Sequence, residues 1–298
     1  MTRKLLPYLQ LCRLPAVFSA LADICTGYLL THVAFEPVVP FALLLVASSG
    51  LYLGGMVFND VFDREIDGRE RPGRPIPSGR VPLQTAIRLG TILMVAGVAA
   101  AAFVGVPSLL VALLLVVSIF AYDGLLKGTP LGPVVMGSCR FLNVLLGASA
   151  VGSFAEVWQL PQLHVAAGLG VYIMGVTIFA RQEAEISQAW RLAYGIGVIN
   201  LGFAMLVAFM LNLEGRQTDQ TAILALGVIA ITINRRLFTA LFERTPARVQ
   251  SAVKTMLLSH VMLNAALILH VSGSPVYTFA VIGLLVPAFL LGRWMAIT

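Results

Sequence analysis

Long apolar stretches alternate with short polar segments along almost the whole chain. An α-helix needs roughly 20 apolar residues to span a bilayer, and ten stretches come close to that length. These predicted spans run over 13–33, 38–58, 83–105, 107–122, 132–153, 162–181, 192–212, 220–240, 253–271 and 276–296. The ninth is the weakest, since it contains His260 and Asn264. Nine or ten membrane-spanning helices are therefore expected, with ten favoured.

The composition agrees with a membrane protein. Of the 298 residues, 58% are hydrophobic and 11% are charged, whereas about a quarter of the residues in a soluble domain are charged. The net charge is +6, but the basic residues lie in loops between spans rather than on one soluble face, which argues against nucleic acid as a partner. We predict an all-α, polytopic transmembrane helix bundle that forms a single domain over residues 1–298.

The basic residues also indicate how the bundle lies in the membrane. With ten spans, 18 of the 20 Lys and Arg residues fall on the side that holds both termini, while Arg216 is on the other side and Arg140 is inside the fifth span. Positively charged segments stay in the cytoplasm. We therefore expect a multi-pass protein of the cytoplasmic membrane, with both termini and the loop 59–82 on the cytoplasmic side.

An acidic segment, Asn59 to Gly68, directly follows the second predicted span. If the helix continues through it, Asn59, Asp63 and Asp67 recur every four residues and share one face, and we expect Asp60 beside Asp63 on the same side. Carboxylates on one strip repel each other unless a cation lies between them. Because Mg²⁺ takes few protein carboxylates and completes its shell with water and phosphate oxygens, this acidic strip predicts a magnesium site for a diphosphate.

A loop rich in arginine and proline comes next. Arginine binds phosphate through its planar fork, and proline ends a helix and stiffens a loop. The acidic strip and the arginine loop together suit a diphosphate with a hydrocarbon tail, if both lie at the mouth of a helix bundle. The basic residues of the loop are Arg69, Arg71, Arg74 and Arg80.

Two simpler interpretations compete with this one. A calcium-binding loop that starts at Asp63 would need a bidentate Glu at its twelfth position, where the chain has Arg74, so this interpretation fails. A solvated loop without a binding role is the other alternative. Ionisable residues at the membrane boundary are more often functional, so we favour the binding site.

The sequence NDVFDREIDGRERPGRPIPSGR, residues 59–80, resembles the first signature of the UbiA superfamily of intramembrane prenyltransferases. Two shorter elements resemble the same family: Arg13-Leu-Pro15 before the first span, and Tyr122 with Lys127 after the fourth. The resemblance implies an all-helical bundle around a central cavity. It also implies Mg²⁺-dependent transfer of an isoprenyl group from a prenyl diphosphate to a lipophilic, often aromatic, acceptor within membrane lipid.

The resemblance assigns roles to matching positions. It implies that Asn59, Asp63 and Asp67 bind the metal, that Asp63, Asp67 and Lys127 are catalytic, and that Lys127 contacts the phosphates. Further substrate contacts are expected from Asn59, Asp60, Arg71, Arg74 and Tyr122.

The second acidic motif of the family, Asp-x-x-x-Asp after the sixth span, is altered in this chain. Glu183 takes the first Asp position and Ser187 the second, with Glu185 between them. Glutamate still binds metal, so we expect Glu183 to be a catalytic metal ligand and Glu185 to offer another oxygen. The divergence resembles the EboC branch of the superfamily. It leaves a second function open, in which the protein binds or helps to move an isoprenoid-like or other lipophilic metabolite without transferring anything.

Two charged residues lie inside predicted spans. Asp23 and Arg140 reach similar depths in the first and fifth spans, and each alone would be costly in lipid, so we expect them to pair and face the cavity, with Asn143 on the same face as Arg140. Such a pair could bind the acceptor or fix helix packing, and the sequence leaves both roles open. Interhelical hydrogen bonds are expected from Asn200, Asn234, His260 and Asn264.

Overall fold

A computed structural model describes residues 5–181, 186–211 and 220–293 of the chain. Within these ranges the structure is helical, with no strand. The helices are α1 (Leu6–Leu11), α2 (Val17–Thr31), α3 (Val38–Phe62), α4 (Arg64–Glu70), α5 (Leu83–Val104), α6 (Val106–Ala121), α7 (Gly132–Gly147), α8 (Phe154–Val157), α9 (Leu160–Ala180), α10 (Ala189–Leu211), α11 (Gln220–Glu243), α12 (Pro246–Ser272), α13 (Pro275–Gly283) and α14 (Leu285–Gly292). A 3₁₀ turn, Leu14–Ala16, precedes α2, and a π-helical turn, Tyr122–Leu126, follows α6.

The polytopic all-helical bundle predicted from the sequence is confirmed. In the described part of the chain, nine helical segments are long and apolar enough to cross a membrane. The helix in the fifth predicted span is too short to count as a tenth: α7 has 16 residues and is about 24 Å long, against a hydrocarbon core of roughly 30 Å. The ninth predicted span, which is the weakest in the sequence, lies within α12, the longest of the described helices with 27 residues. The assignment to a single domain stays a prediction.

Small residues bring the helices close together around α2 and α7. A Cβ atom at Gly27 would overlap the carbonyl oxygen of Val144, and one at Gly147 would lie 2.6 Å from the carbonyl oxygen of Ile24. Glycine at both positions therefore lets the two backbones touch, as is common between membrane helices. This contact holds Asp23 on α2 close to Arg140 on α7.

Candidate active site

A cavity of about 810 Å³ lies in the middle of the bundle, between α3, α6, α7 and α9. One end is lined by α4, the loop after α4 and the π-helical turn, and its wall is polar. Further in, the wall is largely apolar, with side chains that include Met56, Leu115, Ile119, Met136 and Ile173. The expected central cavity is therefore present, and it joins a charged mouth to a hydrophobic interior.

Three members of the acidic strip, Asn59, Asp63 and Asp67, line the cavity. The helical register continues past the end of α3, because the amide of Asp63 donates to the carbonyl of Asn59 (3.0 Å) and the amide of Asp67 to that of Asp63 (2.8 Å). The prediction that these side chains share one face is confirmed.

Asp60 was expected beside Asp63 on the same side, and it does not line the cavity, although Arg74 Nη1 joins it to Asp67 of the strip. On a helix Asp60 is about 60° from Asp63 and about 20° from Asp67, so its place outside the cavity wall reflects its partners rather than the helical register. Its Oδ1 atom accepts instead from Arg13 (3.0 Å) and from Arg74 (3.3 Å). Asp60 therefore anchors two arginines behind the strip.

The carboxylates that do face the cavity are paired with cations of the same chain. Lys127 Nζ donates to Asp63 Oδ2, and Arg74 Nη1 donates to Asp67 Oδ2 at 2.6 Å. Acidic and basic groups thus alternate around the mouth. Both signs of charge needed for a metal-bound diphosphate are close to one another.

Asp123 belongs to the mouth, although reasoning from the sequence did not include it. It lies in the π-helical turn that follows α6 and lines the cavity. Its Oδ1 atom accepts a hydrogen bond of 2.6 Å from Asn59 Nδ2. The sequence signal is an acidic residue at a span end beside Tyr122, but four-residue spacing relates only residues of one helix.

The oxygen-bearing side chains of the mouth are of the kind that Mg²⁺ binds. Asn59, Asp63, Asp67 and Asp123 supply only oxygen donors, and Mg²⁺ needs few protein ligands because it keeps several waters and binds substrate phosphates. No group of three or more His, Cys, Asp or Glu side chains arranged for a metal occurs within 5–181, 186–211 and 220–293. The other expected ligands, Glu183 and Glu185, lie outside the described residues.

Deeper in the cavity lies an inner polar layer, formed by Tyr52, Arg140 and Asn143. The guanidinium carbon of Arg140 lies 5.7 Å from the centre of the Tyr52 ring. Tyr52 precedes Asn59 on α3 by seven residues, which is about 10 Å along the helix. Apolar side chains separate this layer from the mouth.

The inner polar layer is tied to a buried carboxylate. Asp23 Oδ2 accepts from Arg140 Nη1 (2.8 Å) and Asn143 Nδ2 (3.2 Å), and Asp23 Oδ1 contacts His260 Nε2 (2.6 Å) and Asn264 Nδ2 (3.1 Å). The expected Asp23–Arg140 pair is confirmed, but Asp23 does not face the cavity as expected: it is fully buried behind the other two side chains. We call these five residues the buried polar cluster.

The hydrogen bonds predicted within the membrane are present. His260 and Asn264 on α12 reach Asp23 on α2, as described. Asn200 on α10 and Asn234 on α11 exchange two side-chain bonds of 2.9 Å.

Comparison with known families decides the classification. The model of the UbiA prenyltransferase family matches residues 20–298. The chain belongs to this family. With nine candidate spans in its described part, this UbiA family member is a multi-pass membrane protein.

Its similar relatives include archaeal enzymes of one kind. The chain is 30% identical over 228 residues to the digeranylgeranylglyceryl phosphate synthase of Methanopyrus kandleri, covering 67% of this chain and 82% of that one. It is 31% identical over 164 residues to the synthase of Sulfurisphaera tokodaii, covering 53% and 58%. In several of these matches, the aligned part is little more than half of the relative's own length.

Solved structures share the fold. A digeranylgeranylglyceryl phosphate synthase structure aligns with a TM-score of 0.68 at 20% identity, over 92% of this chain and 100% of that one. A UbiA homologue from Archaeoglobus fulgidus bound to GPP and Mg²⁺ aligns with a TM-score of 0.52 at 14% identity, over 93% and 99%. At these identities the likeness establishes the UbiA fold alone.

The remaining UbiA-like positions also reach the mouth. Arg71, Arg74, Tyr122 and Lys127 all line the cavity. Arg13 lines it too and adopts a left-handed backbone conformation, with φ of 46° and ψ of 47°. The structure thus brings together side chains that are more than 100 residues apart.

Proposed function

We propose that the protein is a magnesium-dependent prenyltransferase of the cytoplasmic membrane, which moves an isoprenyl group from a prenyl diphosphate to a lipophilic acceptor. One observation carries the proposal: carboxylates, an amide and basic side chains meet at one end of a cavity whose interior is apolar. A diphosphate with a hydrocarbon tail has this same division of polarity. We place the mouth on the cytoplasmic side, following the distribution of Lys and Arg.

In this proposal the mouth holds the diphosphate. Asn59, Asp63 and Asp67 hold Mg²⁺, with Glu183 as a further ligand and Glu185 beside it. When bound, Mg²⁺ neutralises the charge that develops on the leaving diphosphate.

The basic residues of the mouth assist the same charge separation. Lys127, now paired with Asp63, exchanges that carboxylate for a phosphate oxygen when the donor binds, and Arg71 and Arg74 contact the phosphates through their forks. Tyr122 closes the wall beside them. The apolar side chains below take the isoprenoid chain and exclude water from the allylic carbon.

The acceptor is proposed to use the inner polar layer. Arg140 offers its remaining N–H groups to an oxygen of the acceptor. Asn143 lines the cavity beside it, with both of its N–H groups donating to the Ala20 carbonyl and to Asp23 Oδ2, and Asp23 orients both side chains from behind. An aromatic hydroxyl or acid would suit these donors. The name of the archaeal relatives points instead to a glyceryl phosphate, so the test below includes acceptors of both kinds.

A second candidate is a UbiA-like protein that binds or helps to move a lipophilic metabolite. The altered motif at Glu183 and Ser187 favours it, since one carboxylate is missing. Assignment to the EboC-like branch stays a hypothesis of the same kind, because the similar relatives include digeranylgeranylglyceryl phosphate synthases.

The test compares Asp63→Asn with Glu65→Gln in protein reconstituted in lipid nanodiscs. Both variants remove one negative charge from the same segment, but only Asp63 lines the cavity, and the Glu65 side chain is 78% exposed. Each protein receives Mg²⁺, prenyl diphosphates of several lengths, and aromatic or glyceryl phosphate acceptors. Product and released diphosphate are measured. We expect Asp63→Asn to lower kcat by about 10²-fold or more and Glu65→Gln to match the wild type.

Other results would separate the two candidates. Saturable donor binding by the wild type without release of diphosphate from any donor would exclude the transferase and favour the binding protein. Equal activity of Asp63→Asn and Glu65→Gln would remove the acidic strip from the reaction.

A further inference from the structure

A second, smaller cavity lies on the Asp60 side of α3. Its volume is about 370 Å³, and its lining includes one carboxylate, Asp60, and the arginines Arg13, Arg71, Arg74 and Arg80. We call it the arginine pocket. It lies between α1 and the loop that follows α4, and the wall formed by Arg13, Arg71 and Arg74 separates it from the main cavity, which these three also line.

The charges of the arginine pocket do not balance. Guanidinium groups stay charged at any physiological pH, so four of them against one carboxylate leave a large positive excess. Asp60 pairs with Arg13 and Arg74 through one oxygen, and Asp67, outside the pocket, also pairs with Arg74. Even with Asp67 counted, the arginines outnumber the carboxylates by two to one.

Two of the arginines have no carboxylate partner in the described part of the chain. Arg80 donates to neutral oxygens, which are Gln10 Oε1 (3.1 Å), Ser78 Oγ (3.0 Å) and the carbonyl of Gly73. Arg71 forms no ion pair with any described residue. An added anion would therefore relieve repulsion that the described protein groups leave uncompensated.

The pocket is also held in shape. The Gln10–Arg80 bond ties α1 to the loop, and Asp60 fixes the guanidiniums of Arg13 and Arg74 side by side. Arg13 has φ of 46°, a left-handed conformation that is strained for a residue with a Cβ and that occurs often at functional positions. Arg13 forms these bonds through Nη2 and Arg74 through Nη1. The other nitrogen atoms of each guanidinium take no part in them.

We propose that the arginine pocket binds a phosphate group without metal, beside the magnesium-dependent mouth with which it shares Arg13, Arg71 and Arg74. Guanidinium forks match the oxygens of a phosphate, and a volume of about 370 Å³ accepts a phosphate or diphosphate. The single carboxylate of the lining, Asp60, is already engaged by two arginines, which leaves little capacity for Mg²⁺. Because three arginines face both cavities, the pocket is placed to receive a phosphate that comes from the reaction site.

Two sources of this phosphate fit the geometry, and both rest on the proposed function. One is the phosphate ester headgroup of an acceptor whose lipid part lies in the main cavity. The other is the diphosphate after it has left the prenyl group.

The test adds a carboxylate to the pocket without disturbing its packing. Gly73 lines the pocket, a Cβ there would meet nothing within 4 Å, and its φ is not in the left-handed region. Gly73→Glu therefore places a negative charge at the pocket, and Gly73→Gln is the neutral control of the same size. Gly68→Glu adds the same charge to the same segment, also in open space, but outside both cavities.

Binding of inorganic pyrophosphate is measured by calorimetry on the full-length protein in EDTA, so that magnesium-dependent binding at the mouth is absent. We expect Gly73→Glu to bind at least about tenfold more weakly than Gly73→Gln, because like charges oppose each other, while Gly68→Glu stays close to the wild type. No saturable binding by the wild type, equal affinities of the two Gly73 variants, or an equal loss in Gly68→Glu would overturn the proposal. This arm needs no turnover, so its result is independent of the transferase activity.

Steady-state kinetics distinguishes the sources. If the ligand is the acceptor headgroup, Gly73→Glu raises the KM of a phosphate ester acceptor relative to Gly73→Gln and leaves a neutral acceptor unchanged. If it is the released diphosphate, Gly73→Glu weakens product inhibition by pyrophosphate with either acceptor. Identical kinetics of the two variants would overturn the link between the pocket and the reaction.

Discussion

The mouth of the cavity and the buried polar cluster are both built from carboxylates and basic side chains, yet they differ in how those groups are satisfied. At the mouth, Asp63 pairs with Lys127, and the two side chains are 20% and 34% exposed. In the cluster, Asp23 is fully buried and its two oxygens have four partners. A pair that water can reach is worth little and can give way to a ligand, whereas a buried pair is costly to break. The first region can therefore exchange partners and the second holds its shape.

The largest expected difference is between the free energies of unfolding of Asp23→Ala and Asp63→Ala. Removing Asp23 leaves Arg140 buried without its partner, and we expect the free energy of unfolding to fall by about 3–5 kcal/mol. Removing Asp63 should lower it by no more than about 1 kcal/mol. Unfolding of both variants in mixed detergent micelles, followed by circular dichroism, measures the difference. Equal losses would show that the two regions do not differ as described.

A smaller effect should come from the glycines near each region. Gly27→Ala forces α2 away from the Val144 carbonyl and so strains the Asp23–Arg140 bond, and we expect a loss of about 1–3 kcal/mol from such overpacking. Gly68→Ala on α4 has open space around it and should stabilise the protein by up to about 1 kcal/mol, because alanine favours the helix.

The same unfolding assay checks both variants. If Gly27→Ala were as stable as the wild type, the close approach of α2 and α7 would not be what fixes the cluster.

The smallest effect concerns the link between α3 and the π-helical turn. Asp123→Asn keeps an oxygen for the Asn59 amide but removes a charge from the mouth. We expect the Mg²⁺ concentration for half-maximal donor binding to rise by about tenfold, in the range seen when a group behind a metal ligand is changed.

A Mg²⁺ titration of donor binding measures the effect of Asp123→Asn. Glu65→Gln, which changes the same charge outside the cavity, is the control. A larger effect in the control than in Asp123→Asn would indicate a general charge effect rather than orientation of Asn59.

The sequence predicted local relations better than distant ones. The shared face of Asn59, Asp63 and Asp67 follows from four-residue spacing on one helix, and the spans follow from hydrophobicity. Helical spacing does not predict that Asp60 is outside the cavity wall, because its position there depends on Arg13 and Arg74, which lie 47 and 14 residues away.

Other features depend on tertiary packing, which spacing alone does not reveal. The bond between Asn59 and Asp123 joins residues 64 positions apart, and the contact between Asp23 and His260 joins residues 237 positions apart. The depth of Asp23 was predicted, but its place behind Arg140 depends on which face of α2 packs on α7. The roles of Glu183 and Glu185 stay predictions, since both lie outside the described residues.

The long separation within the buried polar cluster has a consequence for biogenesis. Asp23 lies on α2, and its partners follow 117 and 237 residues later in the chain. Until then, an aspartate near the centre of a helix opposes insertion by roughly 2.5–3.5 kcal/mol. Helix α2 therefore gains its full stability in the bilayer only after α7 and α12 have been synthesised, so a chain whose translation stops before α12 leaves α2 incompletely stabilised.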